Sequence, residues 1–280
     1  MTKFAKFADA FSPSEVADKV RTLGVSKANM AFLPLLVLSV MAGAFISFGA
    51  MYYTVAMTDP AAAYGAAKLL GGLAFSLGFI LVVIVGGELF TGNNLIVLAL
   101  AKRQITFARV LKNWSMVYIG NGIGAIISIV FVFYSGFLDG AHHEIGATAL
   151  KIGLAKVDLT TTEAFFRGVF CNSLVCLASW MVYSSRTVMD KMFAVIFPIS
   201  AFVAMGFEHC IANMFMIPLA IVASLDPEIV AASGVSAKAM QNLTMSGFLH
   251  NLIPVTLGNI FGGTVMVGMS LYVIYLYKQD

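Results

Sequence analysis

Six long apolar stretches alternate with short polar ones along the chain. Four have the length of one membrane-crossing helix, about 20 residues: about Phe32 to Val55, Trp114 to Phe137, Thr161 to Tyr183 and Phe248 to Tyr275. Two are too long for one helix, the 33 residues between Lys68 and Lys102 and the 34 between Lys191 and Asp226. Each overlong run carries glycines and polar side chains near its centre, and each is expected to break there. The breaks fall at Gly86–Asn94 and Gly206–Met214. The pattern predicts an all-α polytopic membrane protein of six transmembrane helices, with helices 2 and 5 broken.

The two breaks are copies of one another. A shift of 120 positions lays Gly86 on Gly206, Glu88 on Glu208 and Asn93 on Asn213. Gly120-Asn121 with Gly124 repeats as Gly258-Asn259 with Gly262, each in the stretch that follows its break. The chain therefore reads as two three-helix repeats, about 31–138 and 161–278. Three spans per half force the halves into opposite orientations. Inverted repeats with interrupted helices place the solute site at the interruptions. The other glycines, with Gly263, are read as close packing between helices.

Residues 1–30 form a separate cytoplasmic segment, and 31–280 a single transmembrane domain. Ser12-Pro13-Ser14-Glu15 is a capping box with proline at the first helical position. Val16, Val20 and Leu23 follow on one face, and Gly24 is the expected stop. This helix is expected at the membrane surface or in solvent. The stretch of about 138–160, with His142, His143, Lys151 and Lys156, is read as a polar connection. Six spans put both termini on one side, and the cations choose which. Lys3, Lys6, Lys19, Arg21, Lys27, Lys102, Arg103, Arg109, Lys112, Arg186, Lys191 and Lys278 fall on that side. Lys68, Lys151, Lys156, Arg167 and Lys238 fall on the other, so the termini are expected in the cytoplasm.

Composition narrows the function classes. The chain is 60% hydrophobic and 11% charged, against about 25% charged in soluble domains. A net charge of +3, with the cations in connections, gives no basic face for nucleic acid. The cysteines, Cys171, Cys176 and Cys210, all lie in apolar stretches without disulfide or zinc spacing. No metal and no cofactor is expected. An enzyme built on Glu208, His209 and Cys210 is disfavoured, because three adjacent helical residues point in three directions. His209 is the one midplane side chain that titrates near neutrality in its unperturbed form. An ionisable residue at that depth marks a pathway or a proton relay.

Three stretches carry a family resemblance: Gly87-Glu88-Leu89-Phe90-Thr91-Gly92, Cys171-Asn172-Ser173-Leu174-Val175-Cys176-Leu177-Ala178, and Gly206–Asn213. With Gly71-Gly72, Phe75-Ser76-Leu77-Gly78, Ser185-Arg186, Met189-Asp190-Lys191 and Ile253-Pro254-Val255-Thr256, they resemble the formate–nitrite transporter family over nearly the whole chain. Among its members, the bacterial formate channels are most similar. The resemblance implies an aquaporin-like protomer, a homopentamer with one pore per protomer, and a bacterial inner membrane. It implies a pore whose constriction is Phe75, Phe79, Leu89, Val175 and Phe202. Its polar lining is implied to be Thr91, His209, Asn213 and Asn259, with Asn172 in the second signature and Lys156 near the outer mouth. Phe79 departs from the leucine of the formate channels and keeps the constriction apolar but bulkier.

The implied solutes are formate and other small monocarboxylates, with nitrite or hydrosulfide as the alternative. Moving an unpaired anion through a dry constriction costs several to tens of kcal/mol. Protonating a carboxylate of pKa about 3.7 at pH 7 costs about 4.5 kcal/mol. A dry pore therefore favours the neutral acid, and a proton source between apolar gates suits it. His209 is the expected source, Thr91 and the backbone N–H groups at the breaks the expected donors, and Glu208 the residue that holds its break in shape.

Overall fold

The computed structural model describes residues 9–58 and 63–277. Lys3, Lys6 and Lys278 of the charge pattern lie outside them. Among the described residues every regular element is a helix.

Helix α1, Pro13–Ala28, starts at the expected capping box: the Ser12 N–H donates to Glu15 Oε2 (2.8 Å) and the Glu15 N–H to Ser12 Oγ (3.5 Å). Two expectations are corrected here. Gly24 does not stop the helix, and a side chain there would press on Ala99. Nor does the apolar face lie on a membrane. Val16, Ala17 and Val20 are buried against Leu95, Val97, Leu98 and Cys176, because the broken second span leaves an apolar flank that this stripe covers.

Helix α2 is Phe32–Ala56 and α3 is Tyr64–Leu81, which runs on through a π turn, Val82–Gly86. The chain then leaves the helix, turns at Gly92–Ile96 and closes the segment with α4, Val97–Ala101. Gly86 has φ +99°, in the left-handed region that favours glycine. Helix α5, Phe107–Tyr134, completes the first repeat.

The stretch expected to be a polar connection holds α6, Glu144–Val157. Its buried stripe is Ala147, Leu150 and Leu154, a helical spacing that the interleaved Lys151 and Lys156 obscure in the sequence.

The second repeat is α7, Thr161–Ser184; α8, Val188–Ala204; α9, Cys210–Ala223; α10, Pro227–Ser233; and α11, Met245–Phe261. The last continues through a π stretch, Gly262–Met269, into α12, Ser270–Tyr275. Gly206, with φ +73°, stands between α8 and α9 as Gly86 stands before α4.

Among the described residues five helices are long and apolar enough to cross a membrane: Phe32–Ala56, Tyr64–Gly86, Phe107–Tyr134, Thr161–Ser184 and Met245–Tyr275; the bent pair Cys210–Ala223 and Pro227–Ser233, at 105°, makes a sixth if counted as one span. The stretch of the fifth expected span is divided between α8 and α9, each shorter than one crossing, on either side of Gly206. Wide apolar faces are exposed around the helices, with Phe131 and Tyr134 of α5, Phe197 of α8 and Ile274 of α12 largely exposed. Close approach sets the helix pairs: a side chain at Gly124 would collide with the Val40 backbone across α2 and α5, and one at Gly262 with the Val169 backbone of α7.

Candidate functional site

The two breaks are held by one hydrogen-bond pattern, built twice. In the first copy Lys27 Nζ donates to Glu88 Oε1 (2.8 Å) and Asn93 Oδ1 (2.8 Å). Asn93 Nδ2 donates to Glu88 Oε2 (2.7 Å) and Asn113 Oδ1 (3.0 Å), and Asn113 Nδ2 returns to the Lys27 carbonyl (3.0 Å). In the second copy Lys156 Nζ donates to Glu208 Oε1 (2.9 Å). Asn213 Nδ2 donates to Glu208 Oε2 (2.7 Å) and Asn251 Oδ1 (2.7 Å), and Asn251 Nδ2 returns to the Lys156 carbonyl (2.8 Å).

A second asparagine pair clamps the broken backbone. Asn121 Nδ2 donates to the Ser39 and Glu88 carbonyls (2.7 and 2.9 Å) while its Oδ1 accepts from the Phe90 N–H (3.0 Å). Asn259 Nδ2 donates to the Gly168 and Glu208 carbonyls (2.8 and 2.9 Å) while its Oδ1 accepts from the Cys210 N–H (2.9 Å). These contacts satisfy backbone groups that a break at membrane depth would otherwise orphan. Glu208 accepts from Lys156 and Asn213 across its break. The Asn213, Asn259 and Asn172 Nδ2 groups are all spent inside the protein, Asn172 Nδ2 on Asn94 Oδ1 (2.8 Å) and the Asn259 carbonyl (2.7 Å), whereas Asn213 Oδ1, unlike Asn93 Oδ1 in the first copy, has no partner among the described residues. All three residues are fully buried. In this arrangement they offer no N–H to a solute, and neither do the Phe90 and Cys210 N–H groups.

Each break forms the floor of a cavity. One, of about 390 Å³, is lined by Tyr53, Phe75, Lys156, Phe202, Glu208 and His209, among others. The other, of about 320 Å³, is lined by Lys27, Phe79, Glu88, Leu89, Ser179 and Tyr183, among others. They share no lining residue, so a wall separates them. Phe75 and Phe202 stand edge to face at 5.9 Å on one side of it, and Phe202 stacks on the His209 ring at 6.1 Å. Phe79 and Leu89 face the other side. Val175, buried, belongs to the same apolar core.

Inside the wall the pseudo-symmetry fails, and there the polar chemistry lies. The 120-residue shift lays Leu89 on His209 and Thr91 on Ile211. His209 and Thr91 are therefore each unique to one half. His209 Nε2 lies 2.9 Å from Thr91 Oγ1. His209 also caps α9: its Nδ1 accepts from the Ala212 N–H (3.1 Å). An accepting Nδ1 carries the lone pair, so Nε2 carries the hydrogen. Nε2–H then donates to Thr91 Oγ1, which leaves the threonine hydroxyl hydrogen available to an incoming oxygen.

Both cavities are cationic. The larger holds Lys68, Lys151, Lys156 and Arg167 against Glu144 and Glu208; the smaller holds Lys19, Lys27 and Lys191 against Glu88. The surplus raises the local concentration of small anions. In the smaller cavity, burial and the neighbouring charges of Lys191 and Arg186 hold the Lys19 ammonium below the usual lysine range. The cations that line the smaller cavity all come from the set assigned to one side of the membrane, and those that line the larger all come from the set assigned to the other. Lys156 is not a solvated loop lysine: it pairs with Glu208 at 2.9 Å and is mostly buried.

Sequence reasoning missed Lys27, Asn113 and Asn251 as members of the two clamps, and Lys68, Lys151, Arg167 and Tyr53 as vestibule lining. The asparagines carried a usable signal, because 113 to 121 and 251 to 259 share one spacing.

Residues 14–273 match the family model described as formate/nitrite transporter. The chain is 43% identical over 276 residues to the formate channel FocA of Escherichia coli K12, covering 97% of each chain. A solved pentameric formate channel with formate bound superposes with a TM-score of 0.79 at 41% identity, over 87% of this chain and 97% of that one. A solved FNT family ion channel gives a TM-score of 0.78 at 27% identity, over 93% of this chain and 98% of that one. Together with the five apolar helices, these likenesses identify a multi-pass membrane protein. The chain belongs to the formate/nitrite transporter family.

Proposed function

We propose that this protein is a channel for formate, with each protomer of a pentamer enclosing its own path. The observation that carries this reading is the pair of cationic vestibules meeting at an apolar wall whose polar atoms are His209 Nε2 and Thr91 Oγ1. Formate has two oxygens and no apolar tail. Such an ion is concentrated by either vestibule and accepts from the Thr91 hydroxyl and from His209 Nε2–H in place of their mutual contact. The formate-channel relatives and the pentameric structural neighbour support the solute and the assembly.

Passage of the wall is the costly step, and protonation lowers it. For His209 to supply a proton it must carry hydrogens on both nitrogens, and Nδ1 is occupied by the Ala212 N–H. Proton delivery therefore requires the imidazole to release its cap on α9. The cap contributes about 1 kcal/mol, small beside the several kcal/mol gained by neutralising the anion. This links His209 protonation to a movement of the start of α9. The charge pattern supports termini in the cytoplasm and an inner-membrane location.

Formate efflux from proteoliposomes, with nitrite and hydrosulfide as parallel arms, tests the reading. Saturable or pH-sensitive formate flux, absent from empty vesicles, supports it. Nitrite or hydrosulfide flux without formate flux moves the protein to the alternative within the family.

A further inference from the structure

Outside the conducting path, the start of α6 meets the start of α10 at a cluster of Lewis bases. Asp139 precedes α6, His143 is its N-cap, and Asp226 is the N-cap of α10. Their ligand atoms all lie within 4.8 Å of one another. The geometry of His143 gives the cluster its direction. Its Nε2 lies 2.8 Å from Glu228 Oε2, a separation at which Nε2–H donates to the carboxylate. That bond leaves the lone pair on Nδ1. Nδ1 is shielded from solvent and has no hydrogen-bond partner among the described residues, yet Asp139 Oδ1 stands 3.7 Å away. A lone pair beside two carboxylates is mutually repulsive unless a proton or a metal cation stands between them. Asp226 spends one oxygen on the Glu228 N–H (2.8 Å), which fixes its carboxylate in place.

We propose that Asp139, His143 and Asp226 form a binding site for a divalent cation of the transition-metal class, with Glu228 orienting the imidazole. A histidine that donates its other ring N–H to a carboxylate is the usual arrangement around a bound metal. One imidazole nitrogen and two carboxylates suit zinc, which binds such ligands at about 2.0–2.2 Å. Two atoms so bound stand at most about 4 Å apart, so the 3.7 Å pair already fits and Asp226 needs only a small approach. The site joins α6 to α10. The residue after His143, Glu144, and then Thr148 and Lys151 of α6, line the larger vestibule. A bound cation would therefore brace one wall of that vestibule from outside. This site does not depend on which anion the channel carries.

Isothermal titration of ZnCl₂ into the purified full-length protein in detergent tests it. The expected result is saturable binding of one zinc per chain. Affinity should fall at least tenfold in His143→Gln and in Asp226→Asn, which keeps an oxygen to cap α10. His142→Ala, at the exposed neighbouring histidine, should bind zinc as wild type does. A zinc-dependent rise in melting temperature in wild type, absent from His143→Gln, should accompany the binding. No binding at millimolar zinc, or equal binding by wild type and His143→Gln, overturns the proposal. Loss of binding in His142→Ala with retention in His143→Gln overturns it too. Equal elution profiles and melting temperatures of the zinc-free variants establish that they are folded.

Discussion

At the scale of residues, the proposed passage rests on two polar side chains in this wall, His209 and Thr91. The repeat places leucine and isoleucine where its other copy has His209 and Thr91, so the proposed chemistry rests on the residues at which the two copies differ. His209 was legible in the sequence as the one imidazole at membrane depth. Its contact with Thr91 was not, because 118 positions separate the two and only the meeting of both breaks brings them together. Asn213 and Asn259 read equally well as pore donors, yet the Nδ2 of each is consumed, by Glu208 and Asn251 in one and by backbone in the other. A carboxamide at a helix break serves either purpose, and sequence spacing does not choose between them. Thr91→Val keeps the shape and removes the hydroxyl. It is expected to lower formate flux about tenfold, the cost of one lost hydrogen bond to a charged group, with no change in melting temperature beyond a few degrees. Stopped-flow flux beside a thermal scan measures both.

At the scale of elements, what holds the breaks is a lysine–glutamate–asparagine–asparagine clamp on each. The glutamates and the first asparagines were visible as a repeat. The lysines were not: Lys27 ends a surface helix and Lys156 ends α6, and neither keeps the sequence offset of its glutamate. Helix α6 itself was read as a connection because its buried stripe is interleaved with charge. Glu208→Gln leaves the Lys156 ammonium without its counter-ion in a largely buried place. Removing one partner of such a pair costs about 3–5 kcal/mol, and exposure of Lys156 to the vestibule puts the expected loss near the lower figure. Glu88→Gln should behave alike through Lys27. Adding Lys156→Met to Glu208→Gln should recover part of the loss, since the pair is then removed together. Detergent thermal melts of the single and double variants check this. A double variant less stable than the sum of both singles would contradict the pairing.

At the scale of the whole molecule, the five apolar helices and the halves' common pattern were legible from hydrophobic length and motif. The packing of α1 against the first break was not, because its apolar stripe fits a membrane surface as well as a protein one. The inverted arrangement predicts that Gln104 and Lys238 lie on opposite sides, with Gln104 and both termini inside. Both positions are exposed, and Cys171, Cys176 and Cys210 are buried, which keeps background labelling low. An impermeant thiol reagent applied to intact cells should modify Lys238→Cys and spare Gln104→Cys. The reverse pattern would invert the topology, and labelling of both would break the six-span reading.

The claim that joins the three scales is that anion passage depends on a proton handled by His209. Asparagine at this position keeps approximate size, an acceptor for the Ala212 N–H and a donor toward Thr91, but does not titrate. The direct measurement is formate flux in proteoliposomes at two pH values, wild type against His209→Asn, at equal reconstituted protein. The account predicts that pH-dependent flux falls at least tenfold in the variant, and that any residual flux is insensitive to pH. Wild-type flux with wild-type pH dependence in His209→Asn would contradict it, and would leave the imidazole as the cap of α9 and nothing more.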